Sequence, residues 1–279
     1  MRRPLFPPMP ANTEASKGSV ESSVSSNNSM HPLLAFTDVS VNFYKNVALA
    51  GVSVQVHADE RVAVIGPSGA GKSTLLGLCN GTVIPTSGHV YFRGEPVRDR
   101  DAWRRLHGSA VGTVHQQLHL AGRLRAIHNV NSGRLSEWSV ARALLSLVIP
   151  QEVAAARATL ERVGIADKLF ERTDRLSGGE RQRLAIARAL RQDPALMLAD
   201  EPTASLDSAR ALEVMMLLSE VAAGDGRALL VSQHDVDLAL RTCDRIIGLR
   251  EGTIRFDLPA DSVDAPLIAE LYRIEHAAR

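Results

Sequence analysis

The spacing of hydrophobic residues in this chain changes several times along its length, and each change marks an element. From Leu33 the pattern is strand-like. Leu34, Phe36, Val39, Val41 and Phe43 form a broken alternation, and Val52, Val54 and Val56 a clean one, the two-residue period of strands with one covered face. Arg61 to Ile65 is almost wholly apolar, as expected of a short strand in a sheet covered on both sides. It runs into a glycine-rich turn and then residues 72–80, whose apolar positions suit a helix stopped by Gly81. Further strand patterns fall at residues 89–93 and 110–115.

Between residues 118 and 175 strand signals become sparse, and apolar positions recur at helical spacing over 140–148 and 152–163. This predicts a helical subdomain inserted into the core. The core resumes with a helix over 178–191, ended before Pro194, and a strand over 195–199. A helix–strand pair follows, ending at 228–232. Alternating strand and helix units predict a mainly parallel sheet, so the fold class is α/β, with the early strands as a separate antiparallel β subdomain. Residues 1–32, rich in Pro, Ser and Asn, are expected to be a disordered tail. Met30 just precedes the first patterned segment and is expected to be the true start of translation. The patterned domain then spans residues 33–256. In the C-terminal extension, residues 257–279, only a short apolar helix around 267–272 is readable, and packing is its expected role.

Composition narrows the classes. A chain of 279 residues, 45% hydrophobic and 23% charged, is ordinary for a globular protein with one substantial core. The net charge of +1 gives no electrostatic reason to expect nucleic acid or an anionic membrane surface as a partner. The two cysteines, Cys79 and Cys243, fall in predicted helices and read as small buried hydrophobes in a reducing compartment. No apolar run approaches the roughly 18–20 residues that span a bilayer. Residues 140–149 come nearest, and they carry Arg142. Pro4, Pro7, Pro8 and Pro10 leave no apolar region for a signal peptide. Any service to a membrane therefore goes through partners.

The chemistry begins at Gly66-Pro67-Ser68-Gly69-Ala70-Gly71-Lys72-Ser73-Thr74, which satisfies G-x-x-x-x-G-K-[ST] between a predicted strand and a predicted helix. Small residues let successive N–H groups turn inward around phosphates, and the helix start adds its positive end. Lys72 supplies a point charge to the β and γ phosphates, and Ser73 places a hydroxyl on Mg²⁺. Downstream, an apolar run at residues 195–199 leads straight into Asp200 and Glu201. A carboxylate at the end of a buried strand beside a phosphate loop is placed to hold Mg²⁺, and its neighbour to polarise the attacking water. A third cluster, Leu176-Ser177-Gly178-Gly179-Glu180, joins a capping-box pattern to two glycines that leave helix-start N–H groups open to an anion.

With Arg181-Gln182-Arg183 and Ala187-Arg188-Ala189-Leu190 after it, this third cluster resembles the signature motif of ABC ATPases, and the resemblance extends over residues 33–256. It implies that Gln116 is the Q-loop glutamine, touching Mg²⁺ and reporting to membrane subunits, with Gln117 as the adjacent competitor. Ser205-Leu206-Asp207 resembles the D-loop of the dimer interface. His234 resembles the switch histidine at the γ phosphate. Tyr44 resembles the aromatic that stacks on adenine, although Phe43 could serve instead. The expected catalytic residues are thus Glu201, His234 and Lys72, the cofactors ATP and Mg²⁺, and the working unit a homodimer in which each signature faces the other copy's phosphate loop. His115 stands where Phe is more usual.

The inserted region is similar to that of phosphonate-importer ATPases. The similarity lies in residues 111–116, 118–124, the run Asn129-Val130-Asn131-Ser132-Gly133-Arg134-Leu135, the Leu-rich stretch Ala143-Leu144-Leu145-Ser146-Leu147, and Ala199 before Asp200. It implies integral membrane permease partners, an indirectly linked solute-binding protein, and a peripheral place on the cytoplasmic face of the inner membrane. Two other readings stay open: an ATPase of lipoprotein release or peptide export, and a soluble ABC protein without membrane subunits. Against the latter stand the single cassette and the absence of long heptads or a basic extension.

Overall fold

The computed structural model describes residues 31–273 apart from 45, 108–109, 147, 205 and 224–225. The tail over 1–30 with Met30, and Leu147, Ser205 and positions 274–279, therefore lie outside the described residues. Strand β1 (Leu34–Phe43) folds back on β2 (Asn46–Val56) through a tight turn at Tyr44, so Phe43 lies opposite Asn46. The broken alternation read in β1 corresponds to register shifts between Phe36 and Val39 and between Val39 and Val41, irregularities that re-aim side chains along a bent strand. Next come β3 (Arg61–Ile65), α1 (Lys72–Cys79), β4 (Ser87–Phe92), β5 (Glu95–Val97), α2 (Arg100–His107) and β6 (Val111–Val114). The helical stretch carries α3 (Ala126–Asn131), α4 (Val140–Ser146) and α5 (Val153–Arg162), with short 3₁₀ turns between them. The chain closes with α6 (Gly178–Leu190), β7 (Leu196–Asp200), α7 (Ser208–Ala222), β8 (Ala228–Gln233), α8 (Val236–Thr242), β9 (Arg245–Arg250), β10 (Thr253–Pro259) and α9 (Ala265–Leu271).

Two sheets result. One is antiparallel, in the order β2-β1-β4-β5. The other has the order β10-β9-β3-β8-β7-β6, parallel throughout except for β10 at its edge. The wholly apolar runs follow from burial on both faces. Ala63 and Ile65, Leu229 and Val231, and Met197 and Ala199 face the helices α3, α5, α6 and α7. Val62 and Val64, Leu230, and Leu196 and Leu198 face α1 and the antiparallel sheet. Alternate residues of one strand thus serve two cores.

The inserted helices share a core with the sheet. Ala126, Ile127, Val130, Ala156 and Leu160 are fully buried together with Leu184 and Ile186 of α6. The Asn129–Leu135 stretch acts as scaffold here. Asn129 takes the Ala121 N–H at 2.8 Å and donates to Thr173 Oγ1 at 2.9 Å, and Asn131 donates to the Gln151 carbonyl at 2.6 Å. Arg191 at the end of α6 pairs with Glu152 at the start of α5, and Arg142 of α4 reaches the same carboxylate at 2.5 Å. Among the described residues no helix is long and apolar enough to cross a membrane.

Besides the short elements β5 and α2, which the apolar pattern does not signal, the structure departs from sequence expectation in three places. Strand β10 continues to Pro259, so the segment set apart from 257 onward begins inside the sheet. Cys243 is not helical. It follows α8 in extended backbone, and burial pushes its thiol up to about 12. Strand β7 takes in Asp200 itself, which fixes that carboxylate in the sheet register.

Candidate functional site

Three parallel strand ends meet at one edge of the large sheet. Strand β3 hands over to the phosphate loop at Ile65, which is in register with Gln233 of β8, and Asp200 of β7 is in register with Ser232 of β8. The loop doubles back tightly, with φ of 151° at Gly66 and 107° at Gly71. A Cβ on Gly66 would lie 2.0 Å from the Leu249 carbonyl oxygen, and one on Gly71 2.6 Å from that of Ala48, so glycine is required at both. Helix α1 starts with no side-chain cap. No acceptor among the described residues takes the N–H groups of Gly69, Gly71, Lys72 or Ser73. A helix start left in this state is a ready site for a phosphate.

Lys72 is buried, and its Nζ donates to the carbonyls of Gly66 at 2.8 Å and Pro67 at 3.1 Å. Burial lowers its pKa, against the opposing pull of Glu201 and Asp200. Carbonyl dipoles compensate a buried ammonium weakly, so an incoming phosphate is a stronger partner than those it would displace.

Opposite the loop, Ser73 Oγ donates to Asp200 Oδ1 at 3.2 Å, and Ser232 Oγ donates to the same oxygen at 2.7 Å. The Ser232 hydroxyl also accepts the Glu201 N–H at 2.9 Å. One buried side chain therefore positions both acids. Glu201 turns out of the strand in the left-handed region, φ 46°, a conformation that costs about 1–3 kcal/mol for a non-glycine residue and concentrates at functional sites. Its Oε1 lies 2.6 Å from Nε2 of His234. The loop beyond is pinned by Gln182 of α6, whose Nε2 donates to the Pro202 carbonyl at 2.9 Å, and by Thr203, whose hydroxyl donates to Gln233 Oε1 at 3.1 Å.

The residues present fit both ATP and Mg²⁺. Ser73 and Asp200 already converge as an oxygen pair. Mg²⁺ is bound by few protein oxygens together with phosphates and water, and the Ser73–Asp200 pair is a donor set of that kind.

The second cluster is built as the sequence indicates. Ser177 Oγ accepts the Glu180 N–H at 3.3 Å, and Ser177 N–H donates to Glu180 Oε2 at 2.7 Å, a complete capping box. Lys168 pairs with the same carboxylate at 3.4 Å. A Cβ built on Gly178 or Gly179 would meet nothing within 4 Å, so this helix start is open to approach. Among the described residues no hydrogen bond joins 177–180 to 66–74. Asp207 caps α7, accepting the Arg210 N–H at 3.1 Å.

Tyr44 is fully exposed at its turn, and Phe43 beside it is half exposed. Gln116 lies two residues beyond the end of β6, exposed and outside the Ser73–Asp200 web. Arg188 of α6 donates to the carbonyls of His119 at 2.7 Å and Leu118 at 2.9 Å, tying the stretch after Gln116 to the helix that Ser177 caps. Sequence reasoning missed Ser232, Gln182, Thr203 and Gln233. The strand over 228–232 was legible, but its last two residues, Ser232 and Gln233, are polar and buried, and their partners at 200, 201 and 203 lie far along the chain.

The family model that matches this chain is described as ABC transporter and covers residues 49–204. The chain belongs to the ABC transporter family. It is 50% identical over 233 residues to the phosphonates import ATP-binding protein PhnC of Anaeromyxobacter dehalogenans, covering 83% of this chain but 46% of that relative, about half its length. It is 45% identical to phosphonates import ATP-binding protein PhnC 1 of Pseudomonas aeruginosa, covering 82% of this chain and 86% of that one. A bacterial ABC transporter cassette solved as a dimer superposes with a TM-score of 0.68 at 29% identity, covering 81% of this chain and 98% of the cassette. The mainly parallel sheet with an antiparallel sheet beside it is the fold of these cassettes.

Replacing Ser232 with Ala removes the hydroxyl that positions both acids and leaves the Glu201 N–H without its acceptor. We expect a stability loss of about 1–3 kcal/mol in urea unfolding and a roughly ten-fold lower turnover number, ten-fold being about 1.4 kcal/mol of barrier. Unchanged unfolding and turnover would contradict that role.

Proposed function

We propose that this chain is the ATP-hydrolysing subunit of a phosphonate importer, acting as a pair of copies that close over two ATP molecules with Mg²⁺. The observation that carries the proposal is the presence on one chain of two open anion-binding helix starts, at α1 and α6, with no hydrogen bond between them among the described residues. A second copy completes each site by bringing its Ser177-Gly178-Gly179 segment to the phosphates held by the first. The solved dimer of a similar cassette supports this arrangement.

Within a site the chain's own residues divide the work. The backbone N–H groups of Gly69, Gly71, Lys72 and Ser73 and the Lys72 ammonium hold the phosphates and offset the charge of the transferring group, which is where most of the barrier reduction comes from. Ser73, Asp200 and Gln116 hold Mg²⁺, which neutralises phosphate charge when bound. Glu201 orients and polarises the attacking water, a contribution of about 10²–10⁴-fold. His234, which rests on Glu201, holds that carboxylate and turns to the γ phosphate. Tyr44 stacks on adenine, and Asp207 lines the seam between copies.

The link to a membrane partner is supported by an apolar groove on the inserted helices, lined by Leu124, His128, Leu135, Trp138, Val140 and Leu144. Beside it Val140, Leu144 and Val148 are largely exposed, an apolar surface of the kind that marks an interaction site. The groove takes a permease at the cytoplasmic face, and closure of the pair moves it through Arg188 and the stretch after Gln116. The names and identities of the relatives support phosphonate as the solute, delivered by a separate solute-binding protein.

Replacing Glu201 with Gln is expected to preserve ATP binding, abolish nearly all steady-state hydrolysis and accumulate an ATP-loaded dimer on gel filtration. Normal turnover in that variant would remove Glu201 from its role. Mixed dimers pairing one Ser177→Lys copy with one Lys72→Ala copy concentrate both defects in one composite site and keep about half the activity; sites built from a single chain would each carry one defect, and the mixed dimer would be inactive. Deleting the gene should abolish growth on a phosphonate as sole phosphorus source, and undiminished growth would exclude that solute.

A further inference from the structure

Gly66, the first residue of the phosphate loop, has a partner that neither the strand nor the loop supplies. Strand β3 ends its ladder one residue earlier, where Ile65 pairs with Gln233 on one side and Gly248 on the other. The Gly66 N–H donates instead to the phenol oxygen of Tyr272 at 3.1 Å, across 206 residues of sequence. Tyr272 is the residue that follows α9, and that end of the chain is held firmly. Asp264 caps α9 by accepting the Leu267 N–H at 2.9 Å, Arg250 donates to the Glu270 carbonyl at 2.9 Å, and Leu271 is 2% exposed in the main core. The tyrosine ring packs half-buried against the same core. Together with Arg273 it walls a cleft against Pro67, Ser68, Gly69 and Ala70.

We propose that Tyr272 is a positioning residue for nucleotide binding, its hydroxyl fixing the peptide at which the phosphate loop leaves the sheet. Gly66 has the backbone freedom of glycine and a φ of 151°, and the Leu249 carbonyl blocks any side chain there. No side-chain bulk stops this peptide from rotating, so a hydrogen bond to its N–H is an effective way to hold it. With that bond in place the loop waits in the shape that presents residues 69–73 to phosphate. Without it, nucleotide must select that shape from a mixture, and apparent affinity falls by the fraction lost. The α9 segment, readable in the sequence only as packing, thereby becomes part of the phosphate site.

The proposal rests on the reading of residues 66–74 as the ATP site, and the test keeps the two apart. In the nucleotide-free protein, Tyr272→Phe should speed hydrogen exchange at the Gly66 amide roughly ten-fold, as loss of a satisfied buried donor predicts. In nucleotide titrations the same variant should raise the Kd for MgATP and MgADP by roughly ten-fold and KM in step, while kcat at saturation stays within about two-fold. Tyr272→Leu, which removes ring and hydroxyl together, should lose little more affinity than Tyr272→Phe. Unchanged exchange and affinity in Tyr272→Phe overturns the proposal, as does an affinity loss confined to Tyr272→Leu, which would assign the residue to packing. Lys72→Ala reports on the underlying site: if it binds MgATP as well as the unaltered chain, the reading of residues 66–74 fails, whereas the exchange result at Gly66 stands without it.

Discussion

The parallel register of β3, β8 and β7 is the constraint on which the rest of the site depends. A parallel sheet ends all its strands at one edge, and ligands bind beyond those ends. Here Ile65, Ser232 and Asp200 share that edge, so a loop at residue 66, two acids at 200 and 201 and a histidine at 234 are neighbours without further arrangement. Because the strands are buried on both faces, a slip of one residue would exchange two cores at once. That is a strong lock for groups that must hold position to a fraction of an ångström.

A second layer ties this edge to the helices. Gln182 holds the Pro202 carbonyl and Arg188 the carbonyls of Leu118 and His119, and both side chains belong to the helix that Ser177 caps. The Ser177 capping box, the segment after Glu201 and the segment after Gln116 are therefore all tied to one helix. Helices α3 and α5 are packed into the same core as α6, so packed side chains connect that helix to the inserted segment that carries the apolar groove between Leu124 and Leu144. The anchoring of Gly66 by Tyr272 belongs to the same logic at the opposite side of the loop.

What the sequence made legible was local. The period of apolar positions located β3, α1, α6, β7 and β8 within a residue or two, because burial on two faces or on one helical stripe writes itself into consecutive residues. The phosphate loop and the capping box were legible because their partners lie within nine and four residues. The remainder depends on partners far along the chain. Nothing local marks Ser232 as the hydroxyl shared by Asp200 and Glu201, Gln182 as the clamp on Pro202, or Tyr272 as the acceptor for Gly66. Helix α2 was missed because half of its positions are charged and only a few are apolar, although Trp103 is buried and donates to the Leu78 carbonyl at 3.2 Å. Cys243 was misplaced because α8 ends one residue earlier than its apolar pattern suggests.

We propose that the converging oxygens of Ser73 and Asp200, set by strand register, form the metal cradle of the phosphate site. Anomalous diffraction from a crystal of the Glu201→Gln protein soaked with ATP and Mn²⁺ tests it most directly. The account predicts a manganese peak in contact with the Ser73 hydroxyl and on the Asp200 side of the phosphates. A peak remote from both residues, with ATP bound elsewhere on the chain, would contradict it.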